Sequence, residues 1–164
     1  GQFVLRHPQY TQLIGPVSIS NDYNPASRNF MVSFLEEHAF APELARHVAP
    51  RRPFEKEARL EEDFYKQCRV ESINDIQELI AEVERNEHKM PVLLKHYLKL
   101  GGRIAAFNID PDFQNSLDAL IVTDLRQTDP RHLRKYMGME GATRYLAYHN
   151  IDAEAAQASD PQPA

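Results

Sequence analysis

The sequence has few cysteines and no long apolar runs, and both shortages exclude whole classes of protein. Its 164 residues include one cysteine, Cys68, so neither an internal disulfide nor a zinc site built from several cysteines can form. This predicts a reducing, cytoplasmic setting. The longest apolar runs, such as residues 104–107, are four residues long, whereas a membrane-spanning helix needs about 20. We therefore predict no membrane-spanning helix.

An excess of basic residues is also missing. The formal net charge is −5, and because nucleic-acid-binding proteins usually carry a basic excess, nucleic acid is not a predicted partner. Basic residues are nevertheless concentrated in one stretch of the chain. They are Arg46, His47, Arg51, Arg52, Lys56 and Arg59. Such a patch on an acidic protein can bind phosphate or an anionic partner.

Several catalytic and ligand-binding motifs are absent. The sequence contains no Gly-x-Ser-x-Gly elbow, no phosphate-binding glycine-rich loop and no dinucleotide fingerprint. None of the seven histidines lies four residues from another or beside Cys68, so no metal site is predicted. Asp110 and Asp112 flank Pro111 in a loop that could hold a cation through oxygen ligands. Turn formation is the favoured interpretation of these two aspartates.

Hydrophobic spacing and the positions of proline and glycine predict a mixed α/β fold. The last two predicted strands form an antiparallel hairpin around residues 110–116, and the composition of residues 150–164 predicts a disordered tail. Strands are predicted at residues 13–20, 103–109 and 117–125. Pro16 inside the first of them predicts a bulge or a splayed strand end. Helices are predicted at residues 25–37, 42–48, 55–67, 73–85, 92–100, 129–138 and 142–148. The first carries an apolar stripe, Ser72 and Asp75 predict a capping box at the start of the fourth, and Gly101 and Gly102 predict the end of the fifth.

Four segments together carry a family resemblance. They are LIGPVSISNDY at residues 13–23, PRRPF at 50–54, PVLLKHYLKLGG at 91–102 and FNIDPDF at 107–113. In this order they resemble the C-terminal part of bacterial hemolysin-like acyltransferases. This GNAT-like group includes the N-acyltransferases of ornithine-lipid synthesis. The resemblance covers residues 1–149, which we treat as one acyltransferase portion.

The resemblance implies a fold and an activity. The fold would be the C-terminal half of a GNAT-like mixed sheet flanked by helices, with residues 13–20 as its central strand. The activity would be transfer of a fatty acyl group from acyl carrier protein or coenzyme A to an amine such as ornithine, or to a lysolipid. Acyl-ACP or acyl-CoA is thus the expected donor, and no permanently bound cofactor or metal is expected. The enzyme would work in the cytoplasm, at the inner face of the bacterial membrane.

One element of the family pattern is missing from these residues. GNAT enzymes bind the donor pyrophosphate through a glycine-rich loop at a helix N-terminus, and the sequence contains no such loop. We therefore expect a longer acyltransferase whose upstream half carries the loop, and we expect the present residues to be inactive alone.

The resemblance also implies site residues. Tyr23 would act as an acid or polar positioning group beside Asp22, with Asn21 or Asn24 as amide contacts, although helix capping already explains Asn24. Arg51 and Arg52 would bind an acidic carrier protein or lipid phosphate, or else lie in a solvated loop. The remaining predicted substrate contacts are Asn108, Asp110 and Asp112, and the two aspartates would receive a cationic acceptor.

Two other classes of function compete with this hypothesis. A glycerolipid O-acyltransferase would need a histidine and an aspartate four residues apart, and no histidine here precedes an aspartate at that spacing. The second alternative is a non-catalytic docking or regulatory module of a larger glycerolipid or lysophospholipid acyltransferase.

Overall fold

The computed structural model describes residues 1–56, 64–65 and 67–151, and within them it confirms the mixed α/β class. Its helices are α1 (Gln2–Arg6), α2 (Pro25–His38), α3 (Pro42–Ala45), α4 (Ile73–Val83), α5 (Val92–Lys99) and α6 (Pro130–Tyr148). Its strands are β1 (Gln12–Ile19), β2 (Arg103–Asp110) and β3 (Ser116–Asp124), with a single 3₁₀ turn at Pro111–Phe113. Most of the helix predicted at residues 55–67, including Arg59, and the tail from residue 152 lie outside the described residues.

The three strands form one antiparallel sheet in the order β1-β3-β2. The predicted β2–β3 hairpin is confirmed. The expected central position of β1 is not seen in the described sheet, where β3 lies between β1 and β2. The centre belongs to β3 because its apolar residues are buried on both faces, as with neighbours Ile121 and Val122. By contrast, β1 carries Pro16 and an exposed Ile14, which suit a sheet edge.

The strand register also corrects a detail at Pro16. A bulge or a splayed strand end was expected there, yet all eight residues of β1 pair with β3 in continuous register. The register shift lies instead in β2, between Ile104 and Ala106. The opposite edge of the sheet therefore absorbs the irregularity.

The main hydrophobic core lies between one face of the sheet and the helices α2 and α4. The apolar stripe predicted on α2 is buried there, with Met31 and Leu35 fully enclosed. Ile76 and Ile80 of α4 pack into the same cluster as Ile19 of β1. Burial of these aliphatic side chains is the main favourable contribution to folding of this layer.

Helix ends follow local sequence signals. Ser72 and Asp75 form the predicted capping box at the start of α4. At the end of α5, Gly101 has a positive φ of 79°, and the N–H groups of Gly101 and Gly102 donate to the carbonyls of Leu98 and Tyr97. This is a Schellman motif, so the predicted glycine stop is confirmed.

A second, smaller core joins the first and last helices that the structure describes. Val4 of α1 packs with Leu133, Tyr145 and other residues of α6. The two helices predicted at 129–138 and 142–148 form the single span of α6, which is broken by the non-helical backbone of Gly138. Among the described residues, no helix has the length and apolar character needed to cross a bilayer.

Candidate functional site

The predicted site residues lie at one end of the sheet. Because β1 and β2 both run antiparallel to β3, they run in the same direction, and their C-terminal ends lie at the same end of the sheet. Residues 21–24 follow the end of β1, and residues 108–112 include the end of β2. We call this end the polar end of the sheet, and it comprises residues 18–24, 108–112 and 116–118.

A carboxylate that the sequence analysis did not single out occupies the centre of the polar end. Asp118 of β3 accepts hydrogen bonds from the hydroxyls of Ser18, at 2.6 Å, and Ser116, at 3.3 Å. Asn108 of β2 is its direct register partner on the other side. Asp118 forms no ion pair with any described residue, so this half-buried negative charge suits a cationic ligand.

A signal for Asp118 was present in the sequence. Aspartate is depleted in strands, and Asp118 lies within the otherwise apolar run of β3. Ser18 likewise alternates with the buried Val17 and Ile19, which places its hydroxyl on the face turned away from the main core. What the sequence lacked was the strand order that brings the two side chains together.

The arginine segment is attached to the end of β2. The N–H of Arg52 donates to the Asn108 side-chain oxygen at 2.9 Å, and the Arg52 carbonyl accepts from the N–H of Ile109 at 2.8 Å. Both contacts use the Arg52 backbone. The guanidinium groups of Arg51 and Arg52 belong to exposed residues, so they remain free to meet an anionic ligand beside the strand end.

Tyr23 contacts the loop between α4 and α5 rather than the Asp118 carboxylate. Its hydroxyl donates to the Lys89 carbonyl, and its ring lies 5.1 Å from that of His88, centre to centre. Burial and the nearby Glu84 carboxylate raise the pKa of Tyr23 above 10.0. The phenol is therefore protonated at neutral pH, which suits a proton donor and not a base.

The two asparagines beside Tyr23 have structural partners. The Asn24 side-chain oxygen accepts from the backbone N–H of Ala26, which confirms the helix-cap interpretation. The backbone N–H of Asn24 donates to the Glu84 carboxylate at 2.8 Å. The Asn21 side chain accepts from Arg28 at 2.6 Å. These contacts fix the turn between β1 and α2.

The loop aspartates are also engaged locally. Asp22 accepts from the Ser20 hydroxyl at 2.9 Å. Asp110 accepts from the N–H of Asp112 at 2.9 Å, as the turn interpretation predicts. Across the described ranges, no group of three or more His, Cys, Asp or Glu side chains is arranged to hold a metal ion.

The four segments that carry the family resemblance meet around β3. Residues 13–23 contain most of β1 and residues 107–113 contain the end of β2, and both strands pair with β3. Residues 50–54 are hydrogen-bonded to the end of β2. Gly102 ends the remaining segment so close to β3 that an added Cβ would lie 3.0 Å from the Ile121 side chain. Comparison with known proteins finds no matching family model, curated protein or solved structure.

Proposed function

We propose that these residues form the C-terminal portion of a GNAT-like acyltransferase that moves a fatty acyl group from acyl carrier protein or coenzyme A to an amine such as ornithine. The observation that carries the proposal is the convergence of the four family-like segments around β3. Their order along the chain, strand, helix, then hairpin, is also the order expected for the second half of such a sheet. The expected setting is lipid synthesis at the inner face of the bacterial membrane.

In amide formation, the aspartates of the polar end and the nearby arginines would bind different reactants. A cationic amine is attracted by the Asp118 carboxylate, with Asp110 and Asp112 at the adjacent strand end. After the amine loses one proton to solvent, its nitrogen forms a bond to the thioester carbonyl carbon. The C–S bond then breaks, and the nitrogen releases a second proton that protonates the leaving thiolate. The exposed Arg51 and Arg52 would receive the anionic donor.

The loop that binds the acyl donor would lie upstream of these residues. Pyrophosphate binding by GNAT enzymes needs backbone N–H groups at a helix N-terminus, and the glycine-rich loop that supplies them would come from an upstream half. That half could extend the sheet along the outer side of β1, because β1 pairs with β3 on one side and is the terminal strand of the described sheet. The isolated chain should then bind an acceptor without turning it over.

An acyl-transfer assay tests the proposal. The purified chain and the full open reading frame that contains it are each incubated with acyl-ACP or acyl-CoA and with ornithine or a lysophospholipid, and products are identified by mass spectrometry. We expect N-acylated amine from the full frame only. Absence of any acylated product from both would contradict the acyltransferase proposal, and turnover by the chain alone would contradict the need for an upstream half.

A second candidate is the docking or regulatory module of a larger glycerolipid acyltransferase. It is favoured by the structural hydrogen bonds that already engage Tyr23, Asn24 and Asp110. Under this candidate, Asp118→Asn in the full frame leaves the acylation rate unchanged. Under the acyltransferase proposal, the same substitution lowers the rate at least tenfold. Asp129→Asn is the matched control, because it removes a carboxylate that is paired with Arg131 at the start of α6.

A further inference from the structure

An apolar cavity of about 310 Å³ lies at the end of the sheet opposite the polar end. Leu13, at the start of β1, contributes to its wall, and Ser18 follows about 17 Å further along the strand. The cavity is therefore separate from the candidate site. Its other lining residues come mainly from α1, α5 and α6 and include Phe3, Leu93, His96, Tyr136 and Met137.

The mouth of this cavity is unusually apolar for an exposed surface. Phe3 is 62 % exposed and Leu93 is 55 % exposed, and both line the cavity. Tyr136, which also lines it, is 43 % exposed. Exposed apolar side chains gathered around a cavity mark an interaction surface. Aromatic rings with a polar edge, such as Tyr136, are typical of the boundary between lipid and water.

The charge around the cavity is segregated. Three helices line it, α1, α5 and α6. Together they contain seven basic residues and one acidic residue, Glu140, in a chain whose net charge is −5. One of the seven, Arg131, is ion-paired with Asp129, and the others are Arg6, Lys95, Lys99, Arg134, Lys135 and Arg144. This local positive charge complements an anionic partner.

Two lysines are well placed to meet that partner. The Lys135 ammonium lies 6.0 Å from the centre of the Tyr136 ring, at the cavity wall. Lys99 is three residues after the cavity-lining His96 on α5, so it is one turn further along the same helix face. Neither lysine forms an ion pair with a described residue.

We propose that this surface, which we call the basic apolar face (Phe3, Leu93, Lys99, Lys135 and Tyr136), docks on an anionic membrane and admits one lipid acyl chain into the cavity. Lysines beside anionic headgroups and apolar side chains below them are the combination that holds a protein at a bilayer surface. A bilayer fits the wide apolar rim better than an acidic carrier protein does. The proposal does not depend on acyl transfer.

Vesicle co-sedimentation of the full 164-residue chain tests the proposal. Vesicles contain phosphatidylcholine alone or with about 30 % phosphatidylglycerol, since anionic lipid supplies the attraction. We expect binding to the anionic vesicles that weakens as salt rises. Equal or no binding to the two compositions would overturn the proposal.

Matched variants locate the contact. Phe3→Gln should weaken binding about tenfold, since an apolar ring no longer enters the bilayer. Phe113→Gln is its control, because Phe113 is 64 % exposed beside the polar end. Lys99→Gln with Lys135→Gln should weaken binding about 25-fold, at about fivefold per lysine. Arg69→Gln with Arg85→Gln is the control at two exposed arginines outside the basic stretch at residues 46–59. Equal losses in variant and control would overturn the proposal.

A tryptophan reporter gives a site-specific readout, because the chain contains no tryptophan. The fluorescence of Tyr136→Trp should shift to the blue on anionic vesicles and be quenched by brominated lipid chains, whereas that of Phe113→Trp should do neither. Quenching of both, or of neither, contradicts docking through this face. A shift produced by an acidic acyl carrier protein, with none from vesicles, would reassign the face to that partner.

Discussion

Ser18 and Asp118 face each other across β1 and β3, and their side chains share a 2.6 Å hydrogen bond. We predict that Ser18→Ala and Asp118→Ala are coupled by about 1 kcal/mol in a double-mutant cycle, as for a hydrogen bond to a half-exposed carboxylate. Urea denaturation measures the four free energies of unfolding. Ser20→Ala is the control, since its hydroxyl bonds Asp22 instead. If the effects of the two substitutions on the free energy of unfolding were additive, the hydrogen bond would contribute nothing to stability.

The hydroxyl of Tyr23 anchors the turn after β1 to the Lys89 carbonyl. Tyr23→Phe should lower the free energy of unfolding by about 1 kcal/mol at neutral pH. The pKa of Tyr23 is raised in the folded state, so the folded protein holds this proton more tightly than the unfolded chain does. This contribution is complete below pH 10 and is lost as pH rises through the folded pKa.

Denaturation of wild type and Tyr23→Phe at several pH values checks this sign. The stability difference between the two proteins should shrink as pH rises above 10. Tyr148→Phe, at an exposed ring, is the matched control for loss of a phenol. A difference that grows with pH would contradict the assignment.

Gly102 leaves no space for a side chain. A Cβ there would lie 2.7 Å from the Tyr97 carbonyl oxygen and 3.1 Å from the Thr123 hydroxyl, so Gly102→Ala should cost about 2 kcal/mol of stability. Gly15→Ala is a matched control, because a Cβ at Gly15 meets nothing within 4 Å. Thermal unfolding should show a lower Tm for the first variant only. An unchanged Tm for Gly102→Ala would mean that the end of α5 shifts freely against β3.

The Arg51 and Arg52 side chains can be removed without removing the Arg52 backbone contacts to β2. Arg51→Ala with Arg52→Ala should therefore leave Tm within about 2 °C, since exposed substitutions change stability little. Binding to an acidic acyl carrier protein should fall, most clearly at low salt. Titrations at low and high salt compare this variant with Arg69→Gln plus Arg85→Gln, which removes two exposed charges outside the basic stretch. Unchanged low-salt binding would refute the role of the two arginines.

Local signals predicted the elements of this fold well. Asn24 before Pro25, Ser72 with Asp75, and Gly101 with Gly102 each act on neighbouring residues, so a short stretch of sequence contains the whole interaction. The positions of β2 and β3 follow for the same reason, since alternation and a compact loop define a hairpin.

The arrangement of the candidate site could not be predicted in the same way. The Ser18–Asp118 bond joins residues 100 positions apart, and the Arg52–Asn108 bond joins residues 56 apart. Such contacts depend on which strand occupies the centre of the sheet. With β1 expected at the centre, nothing in the sequence placed Asp118 beside Ser18 and Asn108. Asp118 has these two neighbours only because β3 lies between β1 and β2.

The strand order has a consequence for how the protein folds. β1 does not pair with β2 in the described sheet, because β3, which follows both in sequence, lies between them. During synthesis, β1 can therefore pair with β3 only after residues 116–124 have left the ribosome. The β2–β3 hairpin closes a short loop and can form first, whereas docking of β1 closes a loop of nearly 100 residues. The slow step of folding should thus be the docking of β1, which completes the polar end and its Ser18–Asp118 contact last.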